Sequence, residues 1–550
     1  METYIRSPTF HARVEAMMRS YHVPGLSLAI VHKGQTASAG WGHASLDPPR
    51  PCTPDTLFDI ASCSKSLTAV AVALLVDDDE NYPEVQWDAV MSELLPDGDF
   101  VMPGIGYTEN VTVDDVLSHR TGMPRHDFSC LGPLASETDD ARSITRNLRN
   151  LSVAAPSAPI ATHLIEVKTK KPFSDFLEET FFAPLGMDST HLQPSESRRR
   201  GLGDRIGTGY DWDKAEARYH GFQWPDAPEA QGAGLVVSSA DDLIRWVKAL
   251  LHCEGPVSGR VFQGLVRLRT ITEPTWRRPR AHTTPSMYAA GLEVHTYRGQ
   301  RVVSHGGSGF GFAGRFFFLP DPHFGAVMLG NADGADDVQA LLTKELIDEL
   351  LGVPVPERLY LKNFTGKKKA PKTAKAKDLK PRTQAQGQLE EGLSGEGRKA
   401  IVINKDAKAH PGSENEKKEE SEDPPKPSPP ERPTAPLSAY TGVYWHPGYH
   451  NFTVQIREGK LFIDAPDRSF GFKITFEHIA DNAKFVGRMA FHLSAGGDSP
   501  LDAEFGWEDG RVVRMGLDLE PDVRELIWFE KRGGDGVAGV TEGVSEVGVD

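Results

Sequence analysis

At 550 residues the chain is too long for one small domain and has room for two or more packed cores. Its formal charge of -16 excludes the basic face of a general nucleic-acid binder, and no run of about 18 unbroken apolar residues exists to span a membrane. Residues 1–20 carry charges and a histidine where a signal peptide would have an apolar core, and Cys52, Cys63, Cys130 and Cys253 are scattered without zinc or redox spacing, which predicts four free thiols in a reducing, cytoplasmic setting.

In chain order, Gly25-Leu26-Ser27-Leu28-Ala29-Ile30-Val31 reads as a strand, turned at His32-Lys33-Gly34-Gln35 into a second strand ending near Gly42. The apolar stretch Leu57 to Ala61 precedes a helix over Leu67 to Val76. Thr112-Val113-Asp114-Asp115 forms a capping-box pattern before Val116-Leu117, whose helix stops at Gly122. Asp139 to Leu151 and Phe173 to Phe182 are helical in pattern, the second closed by Pro184-Leu185-Gly186-Met187. Serines at 238 and 239 cap a helix over Leu243 to Leu251. Tyr288 to Thr296, Arg301 to Ser304, Gly314 to Leu319 and Phe324 to Asn331 read as strands, and Asp336 to Leu351 as a final helix. Strands from both ends and helices from the middle predict an α/β fold of the α+β type: a mainly antiparallel sheet with flanking helices and a helical insertion, over residues 1–355.

Residues 356–432 are charged, rich in proline and poor in aromatics, a composition that predicts a disordered linker. Residues 433–532 return to order with six short strand-like runs, including Phe452 to Ile456 and Leu526 to Phe529, which predict a small all-β unit, sandwich or barrel. The tail, 533–550, is rich in glycine and expected to be flexible.

Two stretches carry chemistry. Ser62-Cys63-Ser64-Lys65 occurs once, at the start of an apolar helix, and a spacing of three puts hydroxyl and amine on one face. A serine hydroxyl is a weak nucleophile, and an amine becomes its base near neutral pH only where burial or a positive field disfavours the charged form. The second stretch is Val302-Val303-Ser304-His305-Gly306-Gly307-Ser308, a strand ending in small residues that admit a second backbone. Alone, the first is a pair of solvated side chains and the second a loop beyond a strand. No metal-ligand cluster, phosphate loop or dinucleotide fingerprint accompanies them, so neither metal nor cofactor is expected.

Together the two stretches resemble serine β-lactamases and penicillin-binding proteins, in particular the branch related to class C β-lactamases with its esterases and D-aminopeptidases. The resemblance spans about Val23 to Gly352 and is also carried by Leu117-Ser118-His119-Arg120-Thr121-Gly122-Met123, by Pro184-Leu185-Gly186-Met187 and by Gly232-Ala233-Gly234-Leu235. It implies a β-lactamase/transpeptidase-like fold, with Ser62 attacking an ester, amide or peptide carbonyl and Lys65 taking its proton. It also implies that His305-Gly306-Gly307 replaces Lys-Thr-Gly beside the site and that the N–H groups of Ser62 and Ser308 form the oxyanion hole. Water would release the acyl group. The C-terminal unit resembles a lipocalin-like appendage, which would cover the site or mediate assembly. The expected partner is a small-molecule or peptide substrate, without nucleic acid or membrane.

Two departures qualify this. His305 stands where lactamases keep a lysine, so carboxylate-bearing substrates are disfavoured and β-lactam hydrolysis is expected to be weak or absent. The Tyr-x-Asn motif of the family is missing as well: no tyrosine occurs between Tyr107 and Tyr210, and the gap, near Leu151 to Val167, has the form of one excised segment, in the protein or at a misplaced splice site. The nearby polar residues His163, Asn147 and Asn150 are not expected to replace it. The resulting expectation is a slow serine hydrolase, with an acyltransferase on the same fold or a catalytically weak binding protein as alternatives.

Overall fold

Why Gly25–His32 alternates so poorly is explained by its place in the computed structural model, which describes residues 1–153, 160–272, 281–309, 311–360, 433–494 and 497–533. This strand, β1, lies inside a sheet covered on both faces, and such strands read as continuous apolar runs. The other strands of the first region are β2 (Gln35–Leu46), β3 (Pro49–Pro51), β4 (Phe58–Asp59), β5 (Gly209–Asp213), β6 (Arg218–Phe222), β7 (Val237–Ser238), β8 (Thr270–Ile271), β9 (Met287–Tyr288), β10 (Glu293–Tyr297), β11 (Gln300–Gly309), β12 (Phe312–Leu319) and β13 (Phe324–Gly330). Nine of them form one antiparallel sheet in the order β3-β2-β1-β13-β12-β11-β10-β9-β8, while β4 pairs with β7 and β5 with β6.

The helix Ala240–His252 covers one face of this sheet and Ala335–Leu350 the other. A Cβ at Gly325 of β13 would meet Val247 and Leu251, whereas one at Gly330, on the opposite side of the pleat, would meet Ala335. The helix Ser64–Asp77 is apolar around its circumference, with eleven of its fourteen residues buried. Its caps and those of its neighbours follow the expected chemistry: Thr112 and Asp115 form a reciprocal capping box, and the Ser239 hydroxyl accepts from the Asp242 N–H at 3.1 Å.

Three expectations need correction. Ser62 is not in the α-helix itself but in a 3-10 turn, Ala61–Cys63, that leads into it. The run Tyr288 to Thr296 is broken into β9 and β10 by a turn in which Gly291 takes φ +60°. The helix expected over Asp139 to Leu151 is Ala141–Asn147 followed by a 3-10 turn.

The C-terminal region resolves the choice between sandwich and barrel. Strands β14 (Gly442–His446), β15 (His450–Arg457), β16 (Lys460–Ala465), β17 (Phe472–Ala480), β18 (Lys484–Phe491), β19 (Ser499–Glu508), β20 (Arg511–Leu517) and β21 (Ile527–Lys531) form a closed antiparallel barrel, β21 returning to β14 with Tyr444 opposite Lys531. Tyr444, Phe452, Phe485 and Phe505 are buried in it. Residues 1–361 and 430–550 form one compact unit. The expected linker beyond residue 360 and the tail beyond 533 lie outside the described residues. Among the described residues no helix is long and apolar enough to cross a membrane.

Candidate active site

Ser62 sits on a strained turn. Ala61, the residue before it, has φ +46°, a left-handed conformation that a side chain disfavours. Asp59, at the end of β4, holds that turn: its Oδ1 accepts the Ala61 N–H at 2.6 Å, and the same carboxyl accepts the N–H of Leu235, which is also left-handed at φ +65°. Burial pushes the Asp59 carboxyl up to about 7 in spite of those two bonds. Pairing of Asp59 with Val237 across β4 and β7 carries the loop Gly232-Ala233-Gly234-Leu235 onto the helix Ser64–Asp77. There Lys65 Nζ lies 2.9 Å from Ser62 Oγ and donates to the Ala233 carbonyl at 2.7 Å.

Lys65 is desolvated, and burial, assisted by the Arg125 guanidinium, pulls its amine down to about 8. On the other side of Ser62 runs β11. A Cβ at Gly307 would stand 2.4 Å from the Ser62 nitrogen, so glycine is what allows the strand edge to meet the Ser62 turn. His305, in the same strand, is buried, and burial followed by the Lys65 charge lowers its imidazole to about 3. Its Nδ1 lies 2.7 Å from the Gly306 carbonyl, which can only accept, so the proton is on Nδ1 and Nε2 receives the Tyr288 hydroxyl at 3.0 Å. The His119 ring packs on Tyr288 with centroids 4.6 Å apart, and burial lowers it to about 4. The strand is therefore neutral at His305, as its sequence suggests. A positive charge nevertheless stands behind it: Arg315 is the register partner of Gly306, donates to Asp336 at 2.8 Å and lines the site.

Among the described residues the Lys65 amine is bonded to Ser62 and Ala233, and no tyrosine hydroxyl reaches it. His163 is turned to Asp99 at 3.2 Å, Asn147 donates to the Gly448 carbonyl at 2.9 Å, and Asn150 donates to Asn147. Residues 154–159, at the centre of the apparent gap, lie outside the described residues.

Ser62, Lys65, His305, Gly306, Gly307 and Ser308 line one cavity of about 1380 Å³. The barrel forms part of its wall through Ser469, Phe470 and Phe491. The loop between β16 and β17 is pinned there by two backbone bonds, Gly132 N–H to Asp467 O at 2.9 Å and Ser469 N–H to Cys130 O at 3.1 Å. Phe128 packs against Phe472 and Phe491, and Trp224 against Phe470 with centroids 6.2 Å apart. Arg468, buried under this loop, donates to the carbonyls of Tyr449 and Asn451 at 2.9 and 3.0 Å. Among the described residues one possible metal-ligand cluster, Asp213, Glu216 and His220 in the β5–β6 hairpin, brings a donor atom from each residue within 4.8 Å of the others, but it is a partly exposed group of a kind common without an ion.

The sequence reading missed Asp59, His119, Arg125, Trp224, Tyr288 and the barrel residues. His119 was within reach, since it lies in the stretch Leu117 to Met123, and Asp59 stands just before the Ser62 turn. Nothing local marks Phe470 as a neighbour of residues 130–132.

The family pattern described as Beta-lactamase matches residues 10–348, and that of a domain of unknown function, DUF3471, matches 426–531. An unguisins hydrolase of Aspergillus campestris is 31% identical over 536 residues, covering 94% of this chain and 91% of its own. A D-aminopeptidase of Brucella ovis is 25% identical over 63% of each chain. The octameric penicillin-binding protein homologue of Pyrococcus abyssi has the same fold, with a TM-score of 0.54 and 17% identity over 94% of this chain and 99% of its own. The Ser62–Lys65 turn, the glycine-bordered strand beside it and the match over residues 10–348 together establish that this chain belongs to the Beta-lactamase family.

Proposed function

We propose that the chain is a serine hydrolase that cleaves an amide or ester bond of a small peptide-like substrate through an acyl-enzyme on Ser62. The observation that carries this reading is the 2.9 Å approach of Lys65 Nζ to Ser62 Oγ, with the amine buried and brought down to about 8. A neutral Lys65 takes the Ser62 proton as Oγ bonds to the carbonyl carbon, and the oxyanion so formed is received by the N–H groups of Ser62 and Ser308. Lys65 then returns the proton to the departing amine or alkoxide as its bond to carbon breaks. In the second half a water adds to the ester, loses a proton to Lys65, and the acid leaves as Ser62 Oγ regains that proton. The D-aminopeptidase, by its name, acts on peptides, which favours an amide over a simple ester as the natural substrate.

Lys65 works without a second hydroxyl among the described residues, and proton return is accordingly the slow step of this scheme. That feature also supports a second reading, a binding protein with residual chemistry. One comparison separates them. The wild type, Ser62→Ala, and a variant with a Tyr-x-Asn segment restored near residue 155 are assayed for ester and amide cleavage. Measurable turnover in the wild type, lost in Ser62→Ala and raised about 10²- to 10⁴-fold by the restored segment, supports the hydrolase. Wild-type rates equal to those of Ser62→Ala leave only the binding protein.

A further inference from the structure

In the proposed scheme Lys65 must return the proton it takes from Ser62, yet among the described residues no tyrosine hydroxyl reaches its amine to carry that proton onward. The cavity wall holds two imidazoles. His305 is committed, with Nδ1 on the Gly306 carbonyl and Nε2 receiving the Tyr288 hydroxyl. His119 is not. It is half-buried, lines the same cavity as Ser62 and Lys65, and packs on the Tyr288 ring. Among the described residues neither of its ring nitrogens takes part in a hydrogen bond.

The stretch that carries His119 is pinned beside Lys65. Gly291 donates its N–H to the Leu117 carbonyl at 3.1 Å, and a Cβ at Gly291 would stand 2.6 Å from the Lys65 carbonyl oxygen. Thr270 Oγ1 donates to the Ser118 carbonyl at 2.7 Å, which ties the residue before His119 to β8. Held in this way, His119 takes φ +60°, a left-handed conformation that a side chain disfavours and that persists where the surroundings over-determine it. Burial, and then the Lys65 charge, keep the imidazole neutral. A neutral imidazole accepts at one nitrogen and donates at the other, so it takes up a proton on one side while releasing one on the other.

We propose that His119 is a further catalytic residue, the proton carrier between Lys65 and the leaving group. This deepens the hydrolase reading and rests on it. As Ser62 Oγ bonds to the carbonyl carbon, its proton passes to Lys65. As the bond from carbon to the leaving nitrogen breaks, that nitrogen takes the proton of one His119 nitrogen while the other His119 nitrogen takes the proton from Lys65. The imidazole has then changed tautomer and Lys65 is neutral again. In the second half the adding water gives its proton to the His119 nitrogen that lost one, the opposite nitrogen returns a proton to Lys65, and Ser62 Oγ regains it as the acyl bond breaks. The ring ends in its starting tautomer.

The test uses the full chain and two substrates of one acyl group: a p-nitrophenyl ester, whose phenolate leaves without a proton, and the matching p-nitroanilide, whose nitrogen must gain one. His119→Gln, which keeps a polar side chain and cannot relay a proton, is expected to lose about 10²-fold more in kcat/KM on the anilide than on the ester. Equal losses on the two substrates, as a merely structural role would give, or no loss on the anilide, overturn the proposal. A second measurement needs no turnover. The His119 imidazole is titrated by NMR in the wild type and in Lys65→Met, its signal assigned by its absence from His119→Gln, and its midpoint is expected to rise once the neighbouring ammonium is removed. That rise supports the pairing of the two groups even if the wild type cleaves neither substrate, a result that would count against the hydrolase reading alone. An unmoved midpoint overturns the proposal even if turnover succeeds.

Discussion

Lys65 can accept a proton from Ser62 only while its own amine is neutral. With that amine lowered to about 8, kcat/KM should rise about tenfold per pH unit below this value and level off above it, as a pH-rate profile on a neutral ester would record. A midpoint near the ordinary 10.5 would mean the amine is not desolvated. The same shift has a stability consequence. Between about 8 and 10.5 the unfolded chain holds a proton at Lys65 that the folded chain does not, so folding becomes more favourable as pH rises through this window. Lys65→Met should therefore melt above the wild type at pH 7, with the gap closing toward pH 10. Asp59 titrates in the opposite sense. Its carboxyl is raised from 3.8 to about 7, so its contribution to stability falls as pH rises across that range, and Asp59→Asn should abolish this slope. Asparagine replaces one carboxyl oxygen with an NH2 donor beside two backbone N–H groups, which weakens the hold on both left-handed residues, so the variant should also lose kcat more than it gains in KM.

At the scale of elements, β11 and the β16–β17 loop line the cavity that holds Ser62. Gly307→Ala would place a methyl against the Ser62 nitrogen, where an oxyanion donor is proposed, and should lower kcat about 10²-fold or more with the fold retained by circular dichroism. Phe470→Ala removes the barrel's aromatic contact with Trp224 and should raise KM for bulky apolar substrates several-fold more than for an acetyl ester. The difference between these two residues is also a difference in legibility. Gly307 and the Ser62–Lys65 pair could be read from spacing alone, because a helix turn and a small-residue strand end are local patterns. Phe470 could not: its loop meets residues 130–132 from more than three hundred positions away, and no local pattern records such a contact. The same holds for Asp59, whose second bond depends on the β4–β7 pairing. Within the barrel, six strands were visible as aromatic and β-branched runs, whereas β18 and β20 were not, since Gly487, Arg488, Arg514 and Gly516 interrupt their alternation. The barrel could be closed only by knowing that Ile527–Lys531 returns to Gly442–His446.

For the whole molecule, the packing of residues 1–361 with 430–550 predicts a single cooperative transition. His126 shows why: its N–H donates to Glu520 at 2.8 Å, its ring nitrogens meet Tyr449 and the Ser152 carbonyl, and its burial in this contact holds its imidazole below the ordinary range. Calorimetry should give one endotherm, coincident by tryptophan fluorescence and far-ultraviolet circular dichroism, and two resolved transitions would mean that the barrel folds independently. A chain ending before residue 433 should lose the apolar cover of Phe128 and Trp224 and bind a hydrophobic dye.

The proposal that Ser62 forms a covalent acyl intermediate is tested most directly by intact-mass spectrometry after exposure to a fluorophosphonate or β-lactone. The account predicts a single adduct on the Ser62 peptide, absent in Ser62→Ala and slowed at least tenfold in Lys65→Ala. An unmodified wild type, or an adduct that persists in Ser62→Ala, would contradict it.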